Sequence, residues 1–154
     1  MFVLIVGCGR VGSAIAKKMI SEGHEVGVLD ESPESHALLD HGLPQTWEDA
    51  GGQFTVGTAL ELEALVEAGI EQADVLVCST DGDNTNIVVA QVGQKRFQVP
   101  KVVVRVHDPL RAEWYRERGL HTVSPTQVAI DMLIDEVTGP VERVGASDAS
   151  DRGS

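Results

Sequence analysis

Glycines at positions 7, 9 and 12, in the run Gly7-Cys8-Gly9-Arg10-Val11-Gly12, have the spacing with which a backbone can wrap a phosphate. Gly7 allows a tight turn, and Gly9 lets a pyrophosphate come up against bare backbone. Gly12 lets the following helix lie close to the preceding strand. The first turn of that helix then offers free N–H groups and a partial positive charge to the anion. Arg10 sits in the same loop. A cation there opposes the helix dipole, so it is better placed facing a polyphosphate, to which it can donate two hydrogen bonds at once. Asp30 stands about 20 residues further on, where a carboxylate takes the hydroxyls of an adenosine ribose and repels a 2′-phosphate. It could instead cap the segment that starts at Pro33, a task Ser32 could also perform. Cys8, Val11 and Glu31, beside these residues in the chain, complete the candidate set on this side.

In an open parallel sheet, ligands bind outside the carboxyl ends of the strands. That rule makes candidates of Gly57-Thr58-Ala59, Ser79-Thr80-Asp81 and Arg105-Val106-His107, each at the end of an apolar run. Thr58 could touch an adenine, and Ser79 or Thr80 the second half of a dinucleotide. Such a cleft accepts NAD(H), AMP, ADP or ATP, and the sequence does not separate them.

No catalytic constellation accompanies the glycines. GxSxG, HExxH and paired carboxylates on a cleft-facing helix are all absent from the sequence. A dehydrogenase needs a proton donor beside the transferred hydride, usually from a second domain, and 154 residues hold one domain and a tail. Of the histidines only His107 falls near the strand ends. The reading is therefore a non-enzyme. The alternatives are an NAD-dependent oxidoreductase or cofactor half of a split enzyme, and a dimerisation module that has lost its ligand. Cys8 and Cys78 are too few for a zinc cluster. They would approach each other if the first and fourth strands were neighbours, though small buried thiols are the plainer expectation.

The elements that must carry these residues alternate along the chain. Strands are expected at Phe2–Val6, Glu25–Asp30, Gln53–Val56, Asp74–Cys78, Lys101–Arg105 and His121–Val123. Helices are expected near Val11–Ser21, Pro33–Leu39, Leu60–Ala68, Asn84–Phe97, Pro109–Arg118 and Thr126–Val137, with a loop over Asp40–Gly52. Strict alternation predicts an α/β fold: a Rossmann-type, doubly wound, six-stranded parallel sheet with a final crossover helix. Gly23, Gly69 and Gly119 sit where left-handed helix ends are wanted, and residues 81–84 supply turn and N-cap chemistry. Hydrophobic residues make up 42% of the chain but aromatics only 4%, which suits a sheet covered on both faces. The formal net charge of -12 repels phosphate backbones and excludes nucleic acid as a natural partner. No stretch is long enough for a membrane span, and the opening MFVLIVGCG lacks the basic residues of a signal peptide. The protein is expected in the cytoplasm, with a nucleotide-binding domain over 1–139 and a polar tail or linker over 140–154.

Two helices are apolar beyond one face. The fourth opens Ile87-Val88-Val89-Ala90, and the last carries Val128 and Met132 on one side with Ile130, Leu133, Ile134 and Val137 on another. The last helix is expected to lay one side on the sheet edge and the other on a second copy of the chain.

The chain resembles the N-terminal domain of the RCK/KTN (TrkA-N) family, and among its members the regulators of Trk-type potassium uptake. The resemblance rests on IVGCGRVG at 5–12, GHEVGVLD at 23–30 and GTALELEALVEAGIEQADVLVCSTDGDNTNIVVAQ at 57–91. VVVRVHDPLRAEWYRERG at 102–119, followed by SPTQVAIDMLIDEV, completes it. It implies a dimer or higher ring built through the last helix, an adenine nucleotide or NAD(H) in the cleft, and a membrane potassium channel or transporter as client, to which the domain is peripheral. Carried over by position, Gly7, Gly9, Arg10, Val11 and Gly12 hold phosphates. Asp30 holds ribose, Thr58 lies near the base, and Ser79, Thr80 and Arg105 line the rest. Two departures stand out. The loop Ser124-Pro125-Thr126-Gln127 lacks the glutamate that helps some members hold a triphosphate or cation. The small C-terminal ligand-binding domain of many members is not expected within these 154 residues.

Overall fold

The computed structural model describes residues 1–144. Six parallel strands form one sheet: β1 (Phe2–Val6), β2 (Glu25–Asp30), β3 (Gln53–Val56), β4 (Val75–Cys78), β5 (Lys101–Arg105) and β6 (His121–Val123). Their order is β3-β2-β1-β4-β5-β6. The chain thus winds outward from β1 in one direction and then, after β3, returns to β4 and winds in the other. The two halves diverge between β1 and β4, and the crevice at that point is where the carboxyl ends of a parallel sheet receive ligands. The Rossmann-type expectation holds, with strand bounds shifted by one residue only at β4.

The register brings the motif residues level. Val6 pairs with Leu29 of β2 and with Cys78 of β4, so the glycine run begins where both neighbours end. Five α-helices lie between strands, α1 (Arg10–Ser21), α2 (His36–Asp40), α3 (Leu62–Glu67), α4 (Asp83–Lys95) and α5 (Pro109–Arg116), and α6 (Pro125–Thr138) follows the last one. The segment expected as one helix from Pro33 is a 3-10 turn at Pro33–Ser35 followed by α2. Gly23, Gly69 and Gly119 adopt φ of +87°, +101° and +96°, as their places after helical segments predict.

Each sheet face has its own core. Leu4, Val6, Leu29, Leu76, Cys78 and Val104 pack with residues of α3, α4 and α5. On the other face Val3, Ile5, Cys8, Val26, Val28 and Val77 pack with Ala16, Leu39 and Trp47. Alternation along β1 sends successive side chains to opposite faces, which is why every interior strand reads as a continuous apolar run.

The loop 41–52 has a fully buried anchor. Trp47 is 0% exposed, its indole N–H donates to the Gln53 carbonyl at 3.1 Å, and its backbone N–H donates to Asp40 at 2.8 Å. A side chain at Gly52 would overlap the indole ring, so this glycine leaves room for the tryptophan.

The two doubly apolar helices part company. α4 buries Asn86, Ile87, Val89, Ala90 and Gly93 and leaves Val88 outside, so it is an ordinary core helix. No residue of α6 is buried. Its expected seat along the sheet edge is not there: Met132, Leu133, Ile134 and Val137 are between 54% and 79% exposed. Ser124 holds the start of α6 instead, accepting from the Gln127 N–H at 3.1 Å and donating to the His107 carbonyl at 2.8 Å. Among the described residues no helix is long and apolar enough to cross a membrane. Most of the tail expected over 140–154 lies outside the described residues.

Candidate functional site

At the carboxyl edge of β1 the chain turns through Gly7, whose φ of +102° excludes most side chains. A Cβ there would also lie 2.7 Å from the Thr80 nitrogen and 2.8 Å from the Ser79 carbonyl carbon. The loop after β1 is thus pressed directly on the loop after β4. Gly12 closes the same turn from the helix side, where any side chain would overlap the Gly7 carbonyl oxygen. Gly9 differs from both: nothing lies within 4 Å of its Cβ position. One glycine of the run therefore faces open space, and it is the N-cap of α1. The amides of the first α1 turn have no carbonyl partner within the helix. No acidic side chain occupies that turn, and an anion would find bare N–H groups there.

This space is part of a cleft of about 870 Å³ lined by Gly7, Gly9, Arg10, Val11, Asp30, Glu31, Thr58, Ala59, Ser79, Thr80, Arg105 and His107, among others. Of the thirteen residues expected from the sequence, only Cys8 and Gly12 do not line it. Both serve from behind. The Cys8 side chain is buried against the Ser35 carbonyl (3.4 Å), and its backbone N–H donates to Asp30 at 2.7 Å. Burial and the nearby Asp30 carboxylate push the Cys8 thiol up to about 11, so it stays protonated. Burial alone pushes the Cys78 thiol up further. The strands carrying these cysteines are neighbours, but the thiols lie in the two separate cores on opposite faces of the sheet. The expected approach of one to the other does not occur.

Asp30 organises its surroundings as well as facing the cleft. One carboxylate oxygen accepts the Cys8 N–H. The other accepts the Ser32 N–H at 2.8 Å and the Ser35 hydroxyl at 3.3 Å. The capping alternative is not realised: Ser32 is the N-cap residue of the 3-10 turn and makes no side-chain bond to it, and Asp30 takes the Ser32 N–H and the Ser35 hydroxyl rather than an amide of the turn. The oxygen that takes only the Cys8 N–H keeps a lone pair for a further donor, such as a ribose hydroxyl. Thr58 and Ala59 follow β3, with the Gly57 N–H tied to the Asp30 carbonyl at 3.0 Å.

Across the switch point the cleft wall is held by a residue that motif spacing did not single out. Asn86, 0% exposed on α4, accepts from the Thr80 N–H (2.9 Å) and hydroxyl (2.6 Å). Its amide donates to the carbonyls of Thr80 (2.9 Å) and Arg105 (3.0 Å). The signal available was an asparagine at the fourth position of a helix that follows a strand. The Ser79 hydroxyl lies within 3.2 Å of both the Val6 and Gly7 carbonyls, so it braces the loop where that loop lines the cleft. The N-cap of α4 is Gly82 and makes no side-chain bond. Asp83, expected to help cap, accepts the His107 N–H at 2.8 Å instead and ties the β5–α5 turn to α4.

Outside the cleft, His36, Asp40 and Glu48 bring potential metal-ligand atoms within 4.8 Å of one another. Both imidazole nitrogens already face carboxylates, and in this arrangement the trio stitches α2 to the Trp47 loop.

The architecture and its glycine cradle agree with the family comparison: the TrkA-N domain family matches residues 3–125. The chain belongs to the TrkA-N family. TrkA-N domains are regulatory rather than catalytic, in agreement with the reading of this chain as a non-enzyme. The chain is 37% identical over 134 residues to the Trk system potassium uptake protein TrkA of Streptomyces coelicolor, covering 87% of this chain and 57% of that protein. It thus spans about half the length of the curated relatives it matches. Among solved structures, the Kef C-terminal domain of Shewanella denitrificans in AMP-bound form superposes with a TM-score of 0.71 at 22% identity, over 99% of this chain and 88% of that one. GsuK bound to ADP gives a TM-score of 0.71 at 21% identity, over 89% of this chain and 34% of that one. The GsuK channel bound to NAD gives 0.62 at 18% identity, over 80% and 21%. These likenesses establish the shared fold of the TrkA-N domain.

Proposed function

We propose that this TrkA-N domain is a cytoplasmic nucleotide sensor that regulates potassium transport through a membrane channel or transporter. The observation that carries the reading is the contrast within the glycine run. Gly7 and Gly12 are wedged against backbone, while Gly9 faces open cleft at the start of α1. A turn so constrained, with its free amides pointing at empty space, suits a phosphate.

In this reading the adenine nucleotide is NAD(H), AMP, ADP or ATP. Its phosphates lie on the amides from Gly9 to Gly12 with Arg10 beside them. Its ribose lies on Asp30 with Glu31 adjacent, its base near Thr58 and Ala59, and its far end near Thr80 and Arg105. The proteins solved with AMP, ADP and NAD support the ligand class, and the name of the Streptomyces relative supports the client. We assign the nucleotide-binding unit to 1–139. The exposed apolar sides of α6 are the surface we assign to a second copy of the chain, because a helix apolar on two sides is stable only when covered.

The test is calorimetry with NAD, NADH, AMP, ADP and ATP, with light scattering on the same samples. Saturable binding of at least one nucleotide by a dimer or larger assembly is expected. Absence of binding to all five sinks the sensor, and a monomer at high concentration sinks the assignment of α6.

A further inference from the structure

The far end of the cleft holds a charge pair of unequal members. The Arg105 side chain is 12% exposed, whereas its partner Asp81, at 3.1 Å, is fully in solvent. One terminal nitrogen of Arg105 serves both the Thr80 carbonyl, at 2.9 Å, and Asp81. Its Nε is buried and has no partner among the described residues. A guanidinium carries five N–H donors in a rigid fork that matches phosphate and carboxylate. This one is nearly enclosed, opens on the cleft and is under-supplied with acceptors.

Its position continues the phosphate turn. The Thr80 carbonyl holds Arg105, and the Thr80 nitrogen lies against Gly7. Thr80 therefore links the guanidinium to the first glycine of the run, and Arg105 and Gly7 line the same cleft. Among the described residues the Asp81 carboxylate, in turn, is held by nothing but Arg105. An ion pair with one member fully hydrated contributes little by itself, so a better-matched anion replaces that carboxylate at small cost.

We propose that Asp81 is a resident counter-ion of Arg105, displaced by the terminal phosphate of a bound nucleotide, so that Asp81 sets how the cleft ranks nucleotides by charge. The inference rests on the nucleotide reading above. A terminal phosphate of a nucleoside di- or triphosphate offers Arg105 several anionic oxygens and must first push Asp81 aside. The second half of a dinucleotide offers a ribose hydroxyl there, which is neutral and leaves the pair intact. Asp81 accordingly handicaps polyphosphates and spares NAD.

The experiment uses the full chain and titrates AMP, ADP, ATP and NAD into wild type, Asp81→Asn, Asp81→Glu and Asp81→Asn/Arg105→Gln. Asp81→Asn should tighten ADP and ATP about three- to tenfold and change NAD less than about twofold, which is what one unit of charge is worth this close to solvent. The gain should shrink at high salt, Asp81→Glu should keep the wild-type ranking, and the double variant should lose the gain. Because Asp81 is fully exposed, its replacement leaves folding intact, and a melting curve verifies this. An unchanged ranking, an equal gain for NAD, or a gain that survives loss of Arg105 overturns the proposal alone. Wild type that binds none of the four overturns the nucleotide reading and this proposal together.

Discussion

At the β1–β2 end of the cleft the backbone makes the shape, with Gly7 left-handed and Gly12 pressed on the Gly7 carbonyl. At the β4–β5 end a side chain makes it, through four hydrogen bonds of the buried Asn86. The two ends fail differently. The first is intolerant of added volume, because the colliding atoms are main chain and cannot turn away. The second is intolerant of lost polarity, because the part-buried groups of Thr80 and Arg105 lose the buried side chain that ties them together. The Gly7–Thr80 contact joins them, so damage at either end is felt across the switch point.

The largest effect should come from volume at the first end. Gly12→Ala puts a methyl into the Gly7 carbonyl, and helix and strand must separate to admit it. The cost should exceed about 3 kcal/mol, above the usual range for overpacking, because the backbone itself must move. Chemical denaturation reads it, and a loss below about 1 kcal/mol would show that the turn is softer than its geometry implies. Polarity at the second end comes next. Asn86→Leu removes the side-chain partner of the Thr80 N–H and of the Arg105 carbonyl, while the Thr80 carbonyl keeps Arg105, for about 2–4 kcal/mol of stability. If the loss matches that of an exposed α4 substitution such as Val88→Ala, the network does not hold the wall. The smallest effect on stability separates shape from ligand. Gly9→Ala meets open space, so stability should move by less than about 1 kcal/mol, while nucleotide binding should weaken by about 1.5–3 kcal/mol. Unchanged affinity by calorimetry would remove the phosphate from this turn.

The same contrast explains what could be read in advance. All six strands and the winding of the sheet were legible, because interior strands of a parallel sheet are apolar runs with nothing else to be. The glycine run was legible for a related reason. A backbone forced left-handed, or into contact with another backbone, restricts the residue type on the spot, and the restriction shows in the sequence. Asn86 was not legible, since its partners at 80 and 105 are neighbours only once β4 and β5 are paired. Trp47 was hidden in the same way, in a segment whose glycines and proline read as plain loop while its ring fills the core beneath β2. For α4 and α6 the apolar pattern was read alike. Only the fold shows that α4 has a sheet to cover it and that α6 extends beyond the edge.

The buried Trp47 has an optical consequence. Only one other tryptophan is present. That one, Trp114, is 48% exposed with the Arg118 guanidinium 3.4 Å above its ring. The chain therefore carries two emitters in opposite surroundings. One is dry and enclosed under the sheet, and should emit at shorter wavelength out of reach of iodide. The other is wet and cation-capped, and should be quenched readily. Opening of the loop that covers the first face would turn the first emitter into a copy of the second, so native fluorescence can follow that face without a label.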